Sequence, residues 1–351
     1  MIDTERVSAE LRNRSIDVQA GKILIARLAG SDQEPDLSEP VNCRGLGRIR
    51  HFGRPSTPPW PANPLPGNPA RRHLGNAPSA SEAARSYAAG AGAGADQSIL
   101  RAQVFQNASC NWRCWYCYVP FNLLAAHPSR SEWATPGELV DLWQEEPDAP
   151  SILDLSGGQP DLVPEWVPWT MRALTERGLS QLTYLWSDDN LSTDYLWRYL
   201  SDDDLALMSS YPGYGRAVCF KGIDEESFAL NTAADPSGYL RQFRYVERLI
   251  DLRIDLYCYV TLPTTCPDNK TRDLVAAFVD RLQQVHPSLP LRTVPLQISI
   301  FGPVVSRLRE QHKNALSGQE RVITAWLQEL QHRYGSLELE CDITEVSLAS
   351  W

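Results

Sequence analysis

The chain contains 351 residues and has a formal net charge of −10, with 43% hydrophobic and 22% charged residues. This length and composition are typical of a globular protein that buries one large core, and the acidic balance argues against nucleic-acid binding, which requires a basic surface. Because the sequence has neither a run of about 18 apolar residues nor an apolar segment near its start, we predict neither a membrane span nor a signal peptide.

The first part of the chain, residues 1–98, is predicted to be a partly irregular, Pro/Arg-rich N-terminal extension. Its composition changes several times over short distances, as in loops and linkers rather than in a repeating fold. In chain order we expect a helix at residues 5–14, a strand at residues 22–27, a proline-rich stretch at residues 55–69 and a flexible Ala/Gly tether at residues 88–95.

A basic segment lies within this extension, because residues 41–81 contain several arginines and no Asp or Glu. A solvated basic loop is the simplest interpretation. Alternatively, Arg44, Arg48 and Arg50 bind an anionic group of the substrate, because the guanidinium fork matches the geometry of carboxylate and phosphate groups.

A strand predicted at residues 99–106 leads into the most informative segment, which contains Cys110, Cys114 and Cys117. Three thiolates at this spacing can hold three corners of a [4Fe-4S] cluster and leave the fourth iron open to a small chelating molecule. Structural zinc requires four closed ligands, and the nearest histidine on the C-terminal side, His127, lies beyond Pro120. The spacing therefore favours an iron–sulfur cluster over zinc.

This segment, with Tyr116 directly before the last cysteine, resembles the cluster loop of the radical S-adenosylmethionine superfamily. The resemblance implies a [4Fe-4S] cluster on Cys110, Cys114 and Cys117, with S-adenosylmethionine chelating the open iron and Tyr116 at the cofactor site. It also implies reductive cleavage of the sulfonium to a 5′-deoxyadenosyl radical, which removes a hydrogen atom from the substrate. The electron would come from a partner such as flavodoxin or ferredoxin.

A second motif, Gly157-Gly158-Gln159-Pro160, ends an apolar run that predicts a strand at residues 152–156. Paired glycines let the backbone approach a ligand without a Cβ in the way. The motif resembles the Gly-Gly-Glu-Pro turn that binds the amino group of S-adenosylmethionine in the superfamily. Here Gln159 replaces the acid. The resemblance therefore predicts the backbone contact of the glycines with the cofactor but leaves the side-chain contact of residue 159 undetermined. A simple Gly-Pro loop is the alternative.

The rest of the chain alternates predicted strands with predicted helices, which indicates an α/β fold with a parallel sheet of six βα units. The resemblance implies that residues 99–303 form a partial (β/α)6 barrel, followed by a C-terminal extension at residues 304–351. Further strands are expected at residues 182–186, 217–221, 254–261 and 296–301, and helices at residues 135–146, 164–178, 193–201, 238–252 and 271–286. In the C-terminal extension we expect a helix at residues 318–334 and a strand at residues 337–341.

Polar residues follow the third and fourth predicted strands of the barrel, where ligands bind in parallel sheets. Ser187, Asp188 and Asn190 follow the third strand, and Lys221 follows the fourth. These positions resemble those that contact S-adenosylmethionine in the superfamily. Asn190 could instead begin a helix, and Lys221 could form an ordinary ion pair with a nearby Asp.

The fifth and sixth predicted strands would present a row of polar residues on one face, because side chains alternate along a strand. This row comprises Tyr257, Tyr259, Thr261, Gln297 and Ser299, with Cys258 on the opposite face. Thr261 is a candidate for cofactor binding, and Tyr259 and Cys266 are candidates for catalysis. Core packing is the simpler interpretation for Tyr and for a buried free Cys.

These patterns predict a radical S-adenosylmethionine enzyme with a single cluster that abstracts hydrogen from an unidentified organic substrate. With eight cysteines in a large chain, three of them in one loop, a reducing cytoplasm is the expected location. A glycyl-radical activase and a nucleotide-modifying enzyme are alternatives within the same chemistry. A non-catalytic iron–sulfur protein that binds a partner or carries electrons is an alternative of another class, and a zinc protein with a nucleic-acid role is a third.

Overall fold

The computed structural model describes residues 1–53, 99–341, 343 and 345–348. The proline-rich stretch and the Ala/Gly tether predicted at residues 55–69 and 88–95 lie outside the described residues. The described part combines helices with a three-stranded sheet and a seven-stranded sheet. It is therefore a mixed α/β structure, as the sequence predicts.

The strands form two separate sheets. The larger has the order β10-β9-β8-β7-β6-β4-β3 and the smaller the order β1-β2-β5. In chain order the strands are β1 Ile16–Asp17, β2 Lys22–Ala26, β3 Gly47–Gly53, β4 Ile99–Gln106, β5 Ser131–Ala134, β6 Ile152–Ser156, β7 Tyr184–Asp189, β8 Tyr214–Phe220, β9 Asp255–Thr261 and β10 Thr293–Leu296.

Helices precede, separate and follow the strands of the larger sheet. They are α1 Thr4–Ser15, α2 Pro136–Gln144, α3 Trp166–Glu176, α4 Tyr195–Tyr199, α5 Asp202–Ser210, α6 Glu225–Thr232, α7 Gly238–Asp251, α8 Thr271–Val285, α9 Gly302–Val305, α10 Glu310–Ser317, α11 Gln319–Arg333 and α12 Ser336–Glu340. The predicted start of α2 is confirmed: the Thr135 hydroxyl accepts the Glu138 N–H, and the Glu138 carboxylate accepts the Thr135 N–H.

Six strands of the larger sheet, β4 and β6 to β10, are parallel and lie side by side in chain order. This confirms the predicted parallel α/β sheet. Strands that follow one another in this way are the arrangement of a (β/α) barrel, in which helices cover one face. The curvature of a partial (β/α)6 barrel remains a prediction, and so does the division into residues 1–98, 99–303 and 304–351.

The two faces of the larger sheet differ in character. Leu155, Val218 and Val260 belong to the main core, which they share with helix residues such as Val246 and Phe278. We call this the helix-covered face. The other face bears a second cluster, which we call the aromatic face, formed by Ala102, Ile152, Tyr184, Trp186, Ala217, Cys219, Tyr257, Tyr259 and Val294. As predicted, Tyr257 and Tyr259 share one face, and Cys258 belongs to the main core on the other.

Three sequence-based predictions are wrong. First, the segment with Arg48 and Arg50 is not irregular, since it forms β3, which pairs antiparallel with β4. The sixth strand is also misplaced: it is β10, so that Gln297 and Ser299 lie in an irregular segment beyond its end. Pro295 suits this position, because β10 is an edge strand.

The third error is the strand predicted at residues 337–341, which is instead the helix α12. The alternation of Leu and Glu in this segment imitates a strand pattern, but both residue types are good helix formers. The Glu338 carboxylate accepts the Gly335 N–H at 2.9 Å and so closes the first turn of the helix. This local capping bond favours a helix over the predicted strand.

The described N-terminal residues pack on the sheet domain rather than apart from it. Leu11 of α1 lies in the main core, and Arg12 forms a buried ion pair with Glu165. Throughout the described residues, no helix combines the length and apolarity needed to cross a bilayer. A cleft of about 230 Å³ lies at the amino ends of β7, β8 and β9, between Tyr184, Tyr214 and Asp255. It is at the opposite ends of the strands from the cysteine loop.

Candidate functional site

The cysteine loop follows β4 and lies at the carboxyl end of the parallel sheet. Cys110 is buried, whereas Cys114 and Cys117 are partly exposed. The Cys117 N–H donates to the Cys114 carbonyl at 3.0 Å, which closes a tight turn between these two residues. None of these three cysteines forms a disulfide in the described structure. The loop therefore presents three unpaired thiols where parallel sheets usually bind ligands.

The three thiols share one electrostatic environment. Burial, together with the charge of a second thiol of the loop, raises the pKa of Cys114 and of Cys117 to about 11. Burial also raises the pKa of Cys110, to which the charge of Cys117 adds. Lys221 lowers the pKa of all three. Thiolates here are costly unless a cation compensates them, as a bound metal would.

The chemistry of this donor set fits a three-cysteine cluster, but the described residues do not present a finished coordination shell. Among them, no group of three or more His, Cys, Asp or Glu side chains is arranged around one point. The thiols lie on an irregular loop, so their side chains depend on loop conformation rather than on a rigid helix or strand. The cluster remains a prediction that metal analysis can test.

Two tryptophans anchor the cysteine loop from either side. Trp112 donates its indole N–H to the Thr4 hydroxyl of α1 at 3.1 Å. Trp115 donates to the Asn231 side chain at 3.1 Å and stacks on His312 of α10, with ring centroids 4.8 Å apart. Both indoles are at least 95% buried. The loop is therefore covered by residues from near both ends of the described chain.

Arg307 also supports the loop, a role that no local sequence pattern predicts. Its guanidinium donates to the Cys117 carbonyl at 2.7 Å and to the Val119 carbonyl at 2.9 Å, and it lies over the ring of Phe121. A guanidinium has several donors in a fixed fork, which suits it to two neighbouring carbonyls. Only the three-dimensional structure brings this residue to the loop.

The predicted Gly-Gly turn lies directly against the start of the cysteine loop. Gly157 and Gly158 have φ values of +75° and +62°, a region that favours glycine. A Cβ on Gly158 would lie 2.4 Å from the Ser109 carbonyl oxygen, and one on Gly157 would lie 2.4 Å from Cγ of Gln106. The pair is therefore required both for the turn and for its approach to the loop backbone.

Gln159 is fully buried, and its side chain is engaged within the protein. Its Nε2 donates to Asp189 Oδ1 at 2.7 Å, and its Oε1 accepts the Asn190 N–H at 2.9 Å. Its carbonyl accepts a bond from the Asn107 side chain at 3.1 Å. Pro160 then begins a short 3-10 turn. The side chain that replaces the acid of the superfamily motif thus faces Asp189 and Asn190.

Asp189 lies in a buried charge cluster at the carboxyl end of β7, on the helix-covered side. Arg216 of β8 is fully buried and pairs with Asp189 at 3.0 Å and with Asp161. Asp189 Oδ1 also accepts the Leu191 N–H at 2.7 Å. The sequence prediction missed Arg216 and Asp161, because a charged residue inside an apolar strand and one inside a turn give no signal of pairing.

Ser187 and Asp188, both predicted to bind the cofactor, lie on opposite faces of the sheet because side chains alternate along β7. Ser187 is buried on the helix-covered face, where its hydroxyl bonds that of Tyr214 at 2.8 Å. Asp188 lies on the aromatic face and accepts bonds from Ser156 at 2.6 Å and from the indole of Trp186 at 3.2 Å. Only Asp188 therefore lies on the aromatic face.

Lys221 and Tyr116 meet beside the cysteine loop. Tyr116 donates its hydroxyl to Thr261 at 3.1 Å, which joins the loop to the end of β9. Burial by itself lowers the pKa of Lys221, but Cys219, Tyr116 and Cys114 outweigh it, so that this pKa lies well above its usual value. Within the described residues no carboxylate lies at ion-pair distance from Lys221. The ammonium therefore faces thiols and a phenol rather than the predicted Asp partner.

A second group of charged residues lies on the aromatic face. Arg50 of β3 is 3.1 Å from Asp154 and 3.8 Å from Asp188. Burial and the nearby charge of Asp188 together raise the pKa of Asp154 to about 7. In the described structure, Asp154 Oδ1 and the hydroxyl of Tyr259 are buried without a hydrogen-bond partner. This face therefore has unsatisfied polar atoms close to the sheet.

The other predicted site residues lie farther from this group. Arg48 donates to the hydroxyl of Tyr118 at 2.9 Å, and Arg44 is exposed, 3.8 Å from Glu145. Cys266 lies in the loop after β9, where its thiol bonds the Pro267 carbonyl. The structure therefore brings Arg50, but not Arg44, close to Asp154 and Asp188.

Comparison with known proteins gives limited information. No protein-family model matches the chain, and no curated protein matches it. Crystal structures of Streptococcus suis SuiB are similar to it: SuiB bound to the precursor peptide SuiA (TM-score 0.36, 9% identity), SuiB bound to S-adenosylmethionine (TM-score 0.35, 11% identity) and SuiB itself (TM-score 0.34, 11% identity).

Each of these similarities covers 51% of this chain and 36%, 37% and 36%, respectively, of the SuiB chain. The matched region thus spans about a third of the SuiB chain. Similarity at this level establishes neither a family nor an activity for the protein. The site must be interpreted from its own residues.

Proposed function

We propose that this protein is a radical S-adenosylmethionine enzyme. The observation that supports the proposal best is that the loop with Cys110, Cys114 and Cys117 lies against the Gly157 and Gly158 turn, at the carboxyl end of a parallel sheet. Both motifs were identified from the sequence alone, about forty residues apart. Their contact in space is what a shared cofactor site requires.

In this proposal Cys110, Cys114 and Cys117 hold a [4Fe-4S] cluster. When bound, the cluster supplies an electron for the cleavage of S-adenosylmethionine and one open iron to chelate it. Contacts with the rest of the protein hold the cysteine loop in place. Arg307 donates to a carbonyl of the loop, and Trp112 of the loop donates to Thr4 of α1. Lys221 places a positive charge beside the thiols and so favours their thiolate form.

S-adenosylmethionine would lie between the Gly-Gly turn and the ends of β7, β8 and β9. The backbone carbonyls of the Gly157 and Gly158 turn would accept hydrogen bonds from its amino group. The carboxylate of Asp188 and the Oδ1 of Asn190, which is buried without a partner among the described residues, are acceptors at the end of β7. Tyr116, Lys221 and Thr261 complete this side of the site.

The substrate would bind on the aromatic face, where Asp154 and Tyr259 have unsatisfied polar atoms. Arg50 was predicted to grip an anionic substrate, but its charge is here shared between Asp154 and Asp188. A substrate that both donates and accepts hydrogen bonds therefore fits better than a simple anion. Tyr259 remains the candidate for contact with the reacting part of the substrate, and Cys266 is a weaker one.

The proposal also includes an electron donor and a cellular location. An electron donor such as flavodoxin or ferredoxin would reduce the cluster, and a cytoplasmic location would keep the free thiols reduced. A glycyl-radical activase and a nucleotide-modifying enzyme use the same cofactors, so they are subclasses of this proposal rather than rivals to it.

A second candidate function is a non-catalytic iron–sulfur protein. It is favoured by one observation: the side chain of Gln159, at the position of the acid in the superfamily motif, is bonded to Asp189 and Asn190. Both polar atoms of that side chain are thus engaged within the protein. Such a protein would bind the cluster but would not cleave S-adenosylmethionine.

Anaerobic reconstitution separates these possibilities. We expect iron and sulfide in the reconstituted protein, a change in its electron paramagnetic resonance spectrum on addition of S-adenosylmethionine, and 5′-deoxyadenosine after reduction. Cys114→Ala should abolish cluster binding, whereas Cys258→Ala, which removes a buried thiol from the helix-covered face, should not. Iron without any 5′-deoxyadenosine would favour the non-catalytic protein, and an absence of iron would refute both.

A further inference from the structure

A hydrogen bond joins Asn190, at the carboxyl end of β7, to the sulfur of Cys110. Asn190 Nδ2 lies 3.8 Å from Cys110 Sγ and 3.2 Å from Asn111 Oδ1, and both bonds are buried. Only this cysteine of the loop has a side-chain amide directed at its sulfur in the described structure. The contact can affect the sulfur only if the rest of the protein holds the amide in this orientation.

The neighbouring side chains do fix the orientation of the amide. The Ser8 hydroxyl donates to the Thr4 carbonyl within α1, so its oxygen is left to accept a bond from Asn111 Nδ2 at 2.8 Å. Asn111 must then turn its Oδ1 toward Asn190. Asn190 in turn must present its Nδ2, the donor, to both Asn111 and Cys110. Three consecutive bonds beginning in α1 thus determine which atom faces the sulfur.

The backbone of Asn190 is held as firmly as its side chain. Its N–H donates to Gln159 Oε1 at 2.9 Å, and its carbonyl accepts a bond from Gln242 Nε2 at 3.2 Å. Leu191 follows with a left-handed φ of +58°, which is costly for a residue with a branched side chain. Asp189 offsets this cost by accepting the Leu191 N–H at 2.7 Å.

These hydrogen bonds explain why a glutamine rather than a glutamate occupies position 159. Its amide must donate to Asp189 and accept from Asn190, and only a side chain with both capacities can do so. A glutamate at this position would place a second carboxylate against Asp189 at hydrogen-bond distance. Arg216 already shares its charge between Asp189 and Asp161, so a third carboxylate would be uncompensated.

We propose that Asn190 is a positioning residue for the cluster, whose amide donates to the Cys110 sulfur and raises the reduction potential. The inference depends on the proposed function, because it requires a cluster on Cys110. Reduction adds negative charge to a cluster and its sulfur ligands, and a donor N–H stabilises that charge. Gln159, Asn111 and Ser8 act through Asn190.

The test is an anaerobic redox titration of the reconstituted full-length protein, followed by electron paramagnetic resonance. Asn190→Leu removes the donor at nearly constant volume, and we expect the midpoint potential to become more negative. Asn190→Asp also adds charge, so its shift should be larger. The matched controls are Asn42→Leu and Asn42→Asp, since Asn42 bonds Gln103 and has no contact with the cysteine loop. Neither control should move the potential.

The possible outcomes are distinct. A wild-type protein that takes up no iron refutes the proposed function before the inference is reached. A wild-type cluster whose potential is unchanged in Asn190→Leu refutes the inference alone, and so does a shift in Asn190→Asp without one in Asn190→Leu. Equal iron and sulfide content in all variants is checked first, together with circular dichroism.

Ser8→Ala provides a second test if the Asn190 variants do not fold. It leaves Asn190 and Cys110 intact but removes the acceptor that orients Asn111. We expect a negative shift in the same direction as that of Asn190→Leu and smaller, because Ser192 still accepts from Asn111 at 2.7 Å. An unchanged potential in Ser8→Ala would contradict the proposed relay from α1.

Discussion

Two arginine–aspartate clusters lie on opposite faces of the same parallel sheet, and they differ in how far they are exposed to solvent. On the helix-covered face, Arg216 is fully buried between Asp161 and Asp189. On the aromatic face, Arg50 is 26% exposed and Asp188 34% exposed, while the buried Asp154 keeps one unpartnered oxygen within the described structure. The first cluster is therefore closed to solvent, whereas the second is partly open to it.

The comparison shows that a buried charge is not by itself a sign of function. Both clusters contain one arginine and two aspartates, and in the described structure each keeps buried polar atoms without a hydrogen-bond partner: Asp161 Oδ1 and Arg216 Nε in one, and Asp154 Oδ1 in the other. The Arg216 group uses its bonds to hold the loop with Asn190 and Leu191. The Arg216 group therefore affects the proposed site only by holding this loop.

The largest effect is expected for Arg216→Met. This change leaves Asp161 and Asp189 buried without their cation, so the free energy of unfolding should fall by about 3–5 kcal/mol. Arg50→Met is the matched change on the other face and should cost only about 1–2 kcal/mol, because water reaches that cluster. Urea denaturation measures both values. Equal losses would remove the distinction between a closed and an open cluster.

The next largest effect is on how the stability of the protein depends on pH. The pKa of Asp154 is about 7 in the folded protein and 3.8 ordinarily, so the folded state binds more protons between these values and its stability must fall as pH rises from about 4 to 7. The full difference corresponds to at most about 4 kcal/mol. Asp154→Asn should remove this part of the pH dependence.

Urea denaturation at several pH values provides the measurement for Asp154. Burial also raises the pKa of Asp161 to about 7, and this residue is present in both proteins. The difference between the wild type and Asp154→Asn therefore isolates Asp154. Parallel curves for the two proteins would show that Asp154 is ionised throughout.

A smaller effect is expected in the Gly-Gly turn. Gly158→Ala places a Cβ 2.4 Å from a backbone carbonyl oxygen and should lower the free energy of unfolding by about 2–3 kcal/mol, with reduced iron uptake. Gly178→Ala is the control: its φ is +69°, but no atom lies within 4 Å of the added Cβ, so the cost should be about 1 kcal/mol. Similar losses would mean that φ alone, and not contact with the cysteine loop, requires glycine.

The smallest effect on stability is expected for Tyr259→Phe. The hydroxyl has no partner among the described residues, so its removal should change the free energy of unfolding by less than about 1 kcal/mol or should slightly stabilise the protein. Activity, measured as 5′-deoxyadenosine formed in the presence of substrate, should nevertheless fall if this hydroxyl contacts the substrate. A large loss of stability would place the hydroxyl in the structure instead.

Local patterns in the sequence predicted much of the fold. Apolar runs located β4, β6 and β9, and the capping residues Thr135 and Glu138 located the start of α2. The errors occurred where local and long-range preferences differ. β3 forms because its backbone pairs with β4, and nothing within residues 47–53 indicates that partner.

The candidate site was predictable only in part for the same reason. Cys110, Gly158 and Lys221 can be proposed from the sequence because their motifs are short and local. Arg216 and Arg307 were missed because their partners lie far away in the sequence; Arg307 bonds the carbonyl of a cysteine 190 residues earlier. Strand alternation separates Ser187 from Asp188, and the exact ends of β7 were needed to assign their faces.

The covering of the cysteine loop by Trp112, Trp115 and Arg307 has a consequence for folding. Its anchors come from Thr4 of α1 and from His312 of α10, segments separated by most of the described sequence. Contacts of such long separation form late, because closing a long stretch of chain costs entropy before the contact can offset it. During synthesis, therefore, the thiols stay accessible until the segment with Arg307 and α10 has emerged and docked.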